Sequence, residues 1–228
     1  MTLLTDTARR YLVEHAIDVL TVAELGITEH NGRLRYPNGR QISLNGEGPK
    51  ALQPKGKPLE LWWPTGEPQD GATVLVCEGE SDALAALSTI GLSEIQHQGA
   101  PDDPLAGITV AAIPGVGYPI SSLAEDLLGT VAVLAFDGDG AGRVATARAA
   151  EVLHEAGIAC HELTVPDDRD LADCLAALDP ELRGAWLAGR IADARPVEPV
   201  SSYPDTLRTT RKTTALETAP QSGNGSRP

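Results

Sequence analysis

Four apolar runs without polar alternation constrain this chain more than any other feature: "ATVLVCEG" at 72–79, "ITVAAIPG" at 108–115, "TVAVLAF" at 130–136 and "IACHELTV" at 158–165. A strand with one wet face alternates polar and apolar residues; a strand covered on both faces does not need to. Helix-like stretches separate the runs. They are "SDALAALSTIG", expected to be capped by Ser81 and closed by Gly91, then Ser121 to Leu128, Ala141 to Ala156 ending at Gly157, and Asp170 to Leu178. Strand and helix in alternation imply an α/β unit with a parallel sheet and helices on both faces. In such sheets the functional site lies beyond the carboxyl ends of the strands.

The first 70 residues have a different texture. Residues 6–17 predict an amphipathic helix capped by Thr5 or Asp6, and a second short helix over 21–25 stops at Gly26. "RLRYPNGRQISL" reads as a hairpin turning at Pro37-Asn38-Gly39. "NGEGPKALQPKGKP" reads as an extended basic loop, and Leu59 to Trp63 as a further short strand. Beyond about residue 195 the chain is rich in Pro, Ser, Thr and Gly and predicts a disordered tail. The expected division is a small α+β segment at 1–70, an α/β domain at 71–190 and a tail at 191–228.

The formal charge of −14 argues against indiscriminate nucleic-acid binding. Its distribution says more. No Lys or Arg lies between Lys57 and Arg143, an interval with 13 acidic residues. Residues 31–60 hold six basic residues (Arg33, Arg35, Arg40, Lys50, Lys55, Lys57) against two acidic ones. Three cysteines, none in a CxxC pair, exclude a disulfide framework and a paired-cysteine zinc site. No apolar stretch approaches the ~20 residues that span a bilayer, and Asp6, Arg9 and Arg10 interrupt any secretory leader, so the sequence reads as soluble and cytoplasmic, without a membrane partner.

The strand ends carry acids. The first delivers Glu78, Gly79, Glu80 and Asp82; the third delivers Asp137 and Asp139 around Gly138; the fourth leads to Asp167, Asp168, Asp170 and Asp173. Gathered like charges repel, so folding does not favour them, and a divalent cation would neutralise them. Mg²⁺ suits one or two carboxylates while retaining waters for phosphate oxygens. The glycine between Asp137 and Asp139 lets the backbone turn so that both face one ion. Helix dipoles alone would account for Asp82 and Asp170. An EF-hand is excluded, because Ala141 and Arg148 stand at its fifth and twelfth positions. No G-x-G-x-x-G or Walker loop fits.

"VLVCEGESDALAAL" followed by "VLAFDGDGAGR" resembles the paired motifs of the TOPRIM domain of bacterial-type primases, topoisomerases and certain nucleases, over roughly residues 71–178. "VPDDRDLAD" resembles a further acidic motif of the primase branch. The resemblance implies a Rossmann-like parallel sheet. It implies Glu78 as catalytic acid/base or as help for a second metal, with Asp137, Asp139 and the later acid Asp170 as ligands of Mg²⁺, or alternatively Mn²⁺. Asp82 matches the aspartate that closes the first motif. Gly79, Gly138 and Gly142 fall on the motif glycines, and Arg143 on the residue that follows them.

Upstream, "YLVEHAI…ELGI" and "PKALQPKG" resemble the segment that precedes TOPRIM in phage, plasmid and bacterial primases, where a basic residue at the Pro-Lys step, here Lys50, contacts nucleic acid or nucleotide. Arg33, Arg35, Lys55 and Lys57 would hold phosphates beside it. The function implied is a Mg²⁺-dependent DNA primase-like nucleotidyltransferase in replication of a chromosome or mobile element. Its partners would be single-stranded DNA, nucleoside triphosphates and a replicative helicase. The alternatives are a TOPRIM phosphodiesterase or nuclease, and a non-catalytic adapter for DNA or a helicase. The zinc module usual at the start of bacterial primases is not seen in this sequence, nor is there room for the strand-passage body of a topoisomerase.

Overall fold

In the computed structural model, residues 4–97, 103–115 and 117–197 are described. The chain opens with α1 (Asp6–Glu14), whose Thr5 hydroxyl accepts the Ala8 N–H, and α2 (Val19–Glu24), capped in the same way by Asp18. An antiparallel sheet follows in the order β1 (Thr28–His30), β2 (Arg33–Arg35), β3 (Gln41–Ser43) and β4 (Ala51–Leu52). The β2–β3 connection is the expected hairpin, with the Tyr36 N–H donating to the Arg40 carbonyl across the Asn-Gly turn.

The larger sheet contains the four apolar runs. It is built from β5 (Thr73–Cys77), α3 (Glu80–His97), β6 (Ile108–Ala112), a 3₁₀ turn (Ile120–Ser122), α4 (Leu123–Asp126), β7 (Val131–Ala135), α5 (Gly140–Glu155), β8 (Ala159–Glu162), α6 (Leu171–Ala176), α7 (Pro180–Ala192) and β9 (Arg195–Pro196). The strand order is β6-β5-β7-β8-β9, parallel except for β9. Successive side chains of a strand point to opposite faces, and both faces are buried. Leu75, Cys77, Val133 and Ala135 meet α3, α6 and α7, while Val74, Val76, Ala132 and Leu134 meet α4 and α5. The first core also takes in Leu12, Leu34 and Ile42, so the small sheet and α1 share one apolar interior with the large sheet. Burying a Leu in such a core contributes about 1.5–3 kcal/mol.

Several expectations need correction. Gly91 does not close α3, which runs on to His97. A helical glycine costs about 1 kcal/mol relative to alanine, and packing offsets it here: Ser93, one half-turn later, lies against Gly184 of α7. The basic loop at 45–58 is interrupted by β4, which pairs with β3 through Ala51 and Leu52. The expected strand at 59–63 reduces to one bridge, Trp62 to Ala112, made by two backbone hydrogen bonds of 2.9 and 3.0 Å. Helix α7 was not expected; Asp179 followed by Pro180 at the first helical position was its available signal. It ends two residues past the expected boundary at 190, and β9 then joins the sheet. The expected tail from 198 lies outside the described residues. Among the described residues, no helix is long and apolar enough to cross a membrane.

Candidate functional site

The strand order places the first crossover to one side of β5 and the later ones to the other, so β5 and β7 flank the topological switch point where open α/β sheets bind ligands. Cys77 and Ala135 are in register at the ends of these strands. Glu78 and Asp137 therefore leave the sheet side by side, and the Asp137 N–H donates to Glu78 Oε2 at 3.0 Å. Asp139 and Asp170 arrive on the loops after β7 and β8.

Three of these four acids have a local task. Asp139 caps α5, its Oδ1 accepting the Gly142 N–H at 2.7 Å. Asp170 caps α6 in the same manner through the Asp173 N–H at 2.7 Å. Each of these carboxylates, and that of Glu78, spends one oxygen on the fold. Asp137 spends none: among the described residues its carboxylate accepts no hydrogen bond. Burial, and then the charges of Glu78, Asp170 and Asp139, push the half-buried Asp137 carboxyl up to about 6, with Lys50 pulling the other way. Asp82 is buried and its Oδ1 accepts the Ala172 N–H at 2.9 Å, bridging α3 to α6. Burial and Asp170 raise its carboxyl to about 8 against that amide and Lys50. The dipole of α3 is thus a minor part of why an acid stands at 82.

The motif glycines are places of close approach. A Cβ on Gly138 would lie 2.0 Å from the Pro166 carbonyl oxygen, and one on Gly142 would lie 2.1 Å from that of Asp137. Neither has a positive φ, so the requirement is space and not a left-handed turn. The Gly138 N–H donates to the Arg169 carbonyl at 2.8 Å, which stitches the loop after β7 to the loop after β8.

The basic residues divide. Lys50 is exposed, and its charge bears on Glu80, Asp82 and Asp137, so it lies within electrostatic reach of the acidic edge. Arg33 instead clasps the loop that leads to Lys50, donating through Nη2 to the carbonyls of Glu47 (3.3 Å) and Pro49 (3.0 Å). Arg143 donates to the Gly138 carbonyl at 2.6 Å and meets Asp167 at 3.2 Å. Lys57 Nζ reaches the Asn38 carbonyl at 3.4 Å. Arg35 and Lys55 are exposed. Two further residues, Arg40 and Tyr11, reach this edge without having been expected there. Arg40 is buried against Glu80, and the Tyr11 hydroxyl lies 2.7 Å from that of Ser81. The available signal was Glu80 itself, an acid wedged between a buried strand and helix and therefore in need of a partner; nothing local named one 40 residues away.

The donors at this edge are all carboxylate oxygens, the chemistry of a hard cation. Among the described residues no group of three forms a ready ligand cage. A hydrated cation held by one or two carboxylates needs none, and the free oxygens of Asp137 and its neighbours fit that demand.

Residues 75–175 match the family described as Toprim-like. No curated protein matches the sequence. Among solved structures, the fold is similar to a DnaG primase catalytic domain bound to single-stranded DNA, with 17% identity, a TM-score of 0.55, and coverage of 84% of this chain and 72% of that one. It is similar to the Aquifex aeolicus primase zinc-binding and RNA polymerase domains, with 15% identity, a TM-score of 0.59 and 85% of this chain covered; only 57% of that chain is spanned. The E. coli primase catalytic core gives 17% identity, a TM-score of 0.56, and coverage of 83% and 74%.

Proposed function

With the premise that this chain carries a Toprim-like domain within the fold of primase catalytic cores, we propose that it is a divalent-metal-dependent primase-type nucleotidyltransferase acting on single-stranded DNA and nucleoside triphosphates in replication. The observation that carries this reading is the placement of Glu78 and Asp137 on adjacent strand ends at the switch point, with Lys50 within electrostatic reach.

Asp137 would hold Mg²⁺ or Mn²⁺ with the free oxygen of Asp139 or Asp170. The ion supplies charge neutralisation at a triphosphate. Glu78, with one oxygen uncommitted, accepts the proton of an attacking 3′-hydroxyl. Lys50, Lys55 and Lys57 on the exposed loop draw phosphates to an edge that otherwise repels them. Arg33 shapes that loop, and Arg143 supports the Asp137–Gly138 turn. Such an enzyme would work in the cytoplasm alongside a replicative helicase.

Template-directed primer synthesis tests the reading, comparing wild type with Asp137→Asn and Asp139→Asn. Asparagine keeps the α5 cap that alanine would remove. Metal-dependent products from wild type, reduced at least 100-fold in Asp137→Asn with its Tm preserved, are the expected result. Cleavage of labelled DNA without nucleotides would move the assignment to a nuclease. DNA binding without turnover or metal dependence would move it to an adapter.

A further inference from the structure

The first turn of α3 is held from three directions by three consecutive residues. The Glu80 carboxylate is ion-paired with Arg40 of the small sheet. The Ser81 hydroxyl meets Tyr11 of α1 at 2.7 Å. Asp82 accepts the Ala172 N–H of α6. Two residues upstream stands Glu78. The intervening Gly79 leaves little slack, since its carbonyl accepts the Ala83 N–H at 3.2 Å and a Cβ on it would lie 3.2 Å from the Asp82 carboxylate.

The Arg40–Glu80 pair is poorly explained by stability alone. Arg40 is 6% and Glu80 5% exposed. Removing two charges from water costs several kcal/mol each, which their attraction repays only with good geometry. Arg40 has further anchors, its backbone N–H donating to Asn38 Oδ1 at 3.0 Å and its Nη1 reaching Gln53 Oε1 at 3.4 Å. Arg40 is thus fixed by its backbone to the hairpin turn and by its guanidinium to Gln53 beyond β4, and it transmits their position to the start of α3.

We infer that Arg40 is a positioning residue: through Glu80 it sets the Glu78-Gly79 turn, and so keeps the Glu78 carboxylate on the Asp137 amide and aimed at the reacting centre. The small sheet is on this view a working part of the site as well as a carrier of basic residues. The aim at a reacting centre rests on the function proposed above; the tie to the Asp137 amide does not.

Amide hydrogen exchange at Asp137 reads that tie without any activity. Glu78→Ala, which deletes the acceptor, sets the upper limit. Arg40→Gln is expected to speed Asp137 exchange at least tenfold toward that limit while Val133 and Ala135 in β7 stay protected; Arg40→Lys, which keeps the charge, is expected to recover most of the protection. Because Arg40→Gln leaves a buried charge unpaired, the Arg40→Gln, Glu80→Gln double variant is measured beside it and is expected to show the same local loss in a stably folded chain. In primer synthesis the same variants should lose kcat about tenfold with KM for nucleotide little changed. Unaltered Asp137 exchange in both variants would overturn the inference and leave the pair a structural staple. If wild type makes no primers, the proposed function fails and the exchange comparison still decides the role of Arg40.

Discussion

The two strand ends that meet at the switch point are secured by opposite means. The turn after β7 is locked at its glycines by backbone, Gly138 against Pro166 with its N–H on the Arg169 carbonyl and Gly142 against the Asp137 carbonyl, and the side chains of Glu78, Asp139 and Arg143 add hydrogen bonds around that lock. The turn after β5 is held by the side chains of Glu80, Ser81 and Asp82, which reach partners on three other elements: Arg40 of the hairpin, Tyr11 of α1 and the Ala172 N–H of α6. A backbone lock is local and unforgiving, since nothing can rotate away from an added atom. A side-chain lock is long-range, and each of its members can be altered alone. Asp137 and Asp139, the acids proposed to hold the cation, thus sit on the rigid turn and the candidate acid/base on the adjustable one.

The largest effect should come from breaking the backbone lock. Gly138→Ala puts a methyl group inside the radius of a carbonyl oxygen. Overpacking of this kind costs about 1–3 kcal/mol or more, and at roughly 2–4 °C per kcal/mol for a chain of this size the Tm should fall by several degrees. A Tm within 1 °C of wild type would show that the two loops separate freely.

The side-chain lock should reveal itself through pH in chelator-treated protein. The unfolded chain releases the Asp82 proton in the usual carboxylate range, whereas the folded chain keeps it until about 8. Between these values the folded state binds more protons, so stability falls as pH rises. The Tm should be several degrees lower at pH 8 than at pH 5.5. Asp82→Asn, which still accepts the Ala172 N–H, should flatten that fall without removing it, because Asp137 at about 6 contributes with the same sign. A variant with the full wild-type slope would relocate the titration.

Arg143→Ala sharpens the contrast from the other side. It removes a side chain that props the backbone-held turn, and that prop is solvent-exposed where it meets Asp167. Exposed pairs contribute about 0–1 kcal/mol, so the expected Tm loss is no more than about 4 °C. A loss as large as that of Gly138→Ala would make the turn side-chain-dependent after all.

How much of this was legible in the sequence followed the range of the interactions. The parallel sheet was readable because unbroken apolar runs such as "TVAVLAF" are a local consequence of double-sided burial. The placing of acids at the strand ends was readable because they sit within a few residues of their strands. The end of α3 was misjudged because Gly91 speaks locally, while the packing of Ser93 on Gly184 spans more than 90 residues. Arg40 was counted as one more positive charge in a basic cluster, because burial and partnership with Glu80 exist only once two sheets meet. Arg33 and Arg143 have backbone carbonyls as partners, and no residue type announces a carbonyl.

The Trp62–Ala112 bridge and the two-residue β9 carry a consequence for assembly. A sheet margin with free N–H and C=O groups is a template for another chain. One margin of the large sheet, β6, has the Ala112 groups already taken by Trp62. The opposite margin ends on β9, where Pro196 has no N–H to offer. Among the described residues, the strands left able to recruit an added strand are β1 and β4, which flank the small sheet. A strand added at β4 would therefore lie within the basic loop, whereas one added at β1 would lie at the opposite margin of the small sheet.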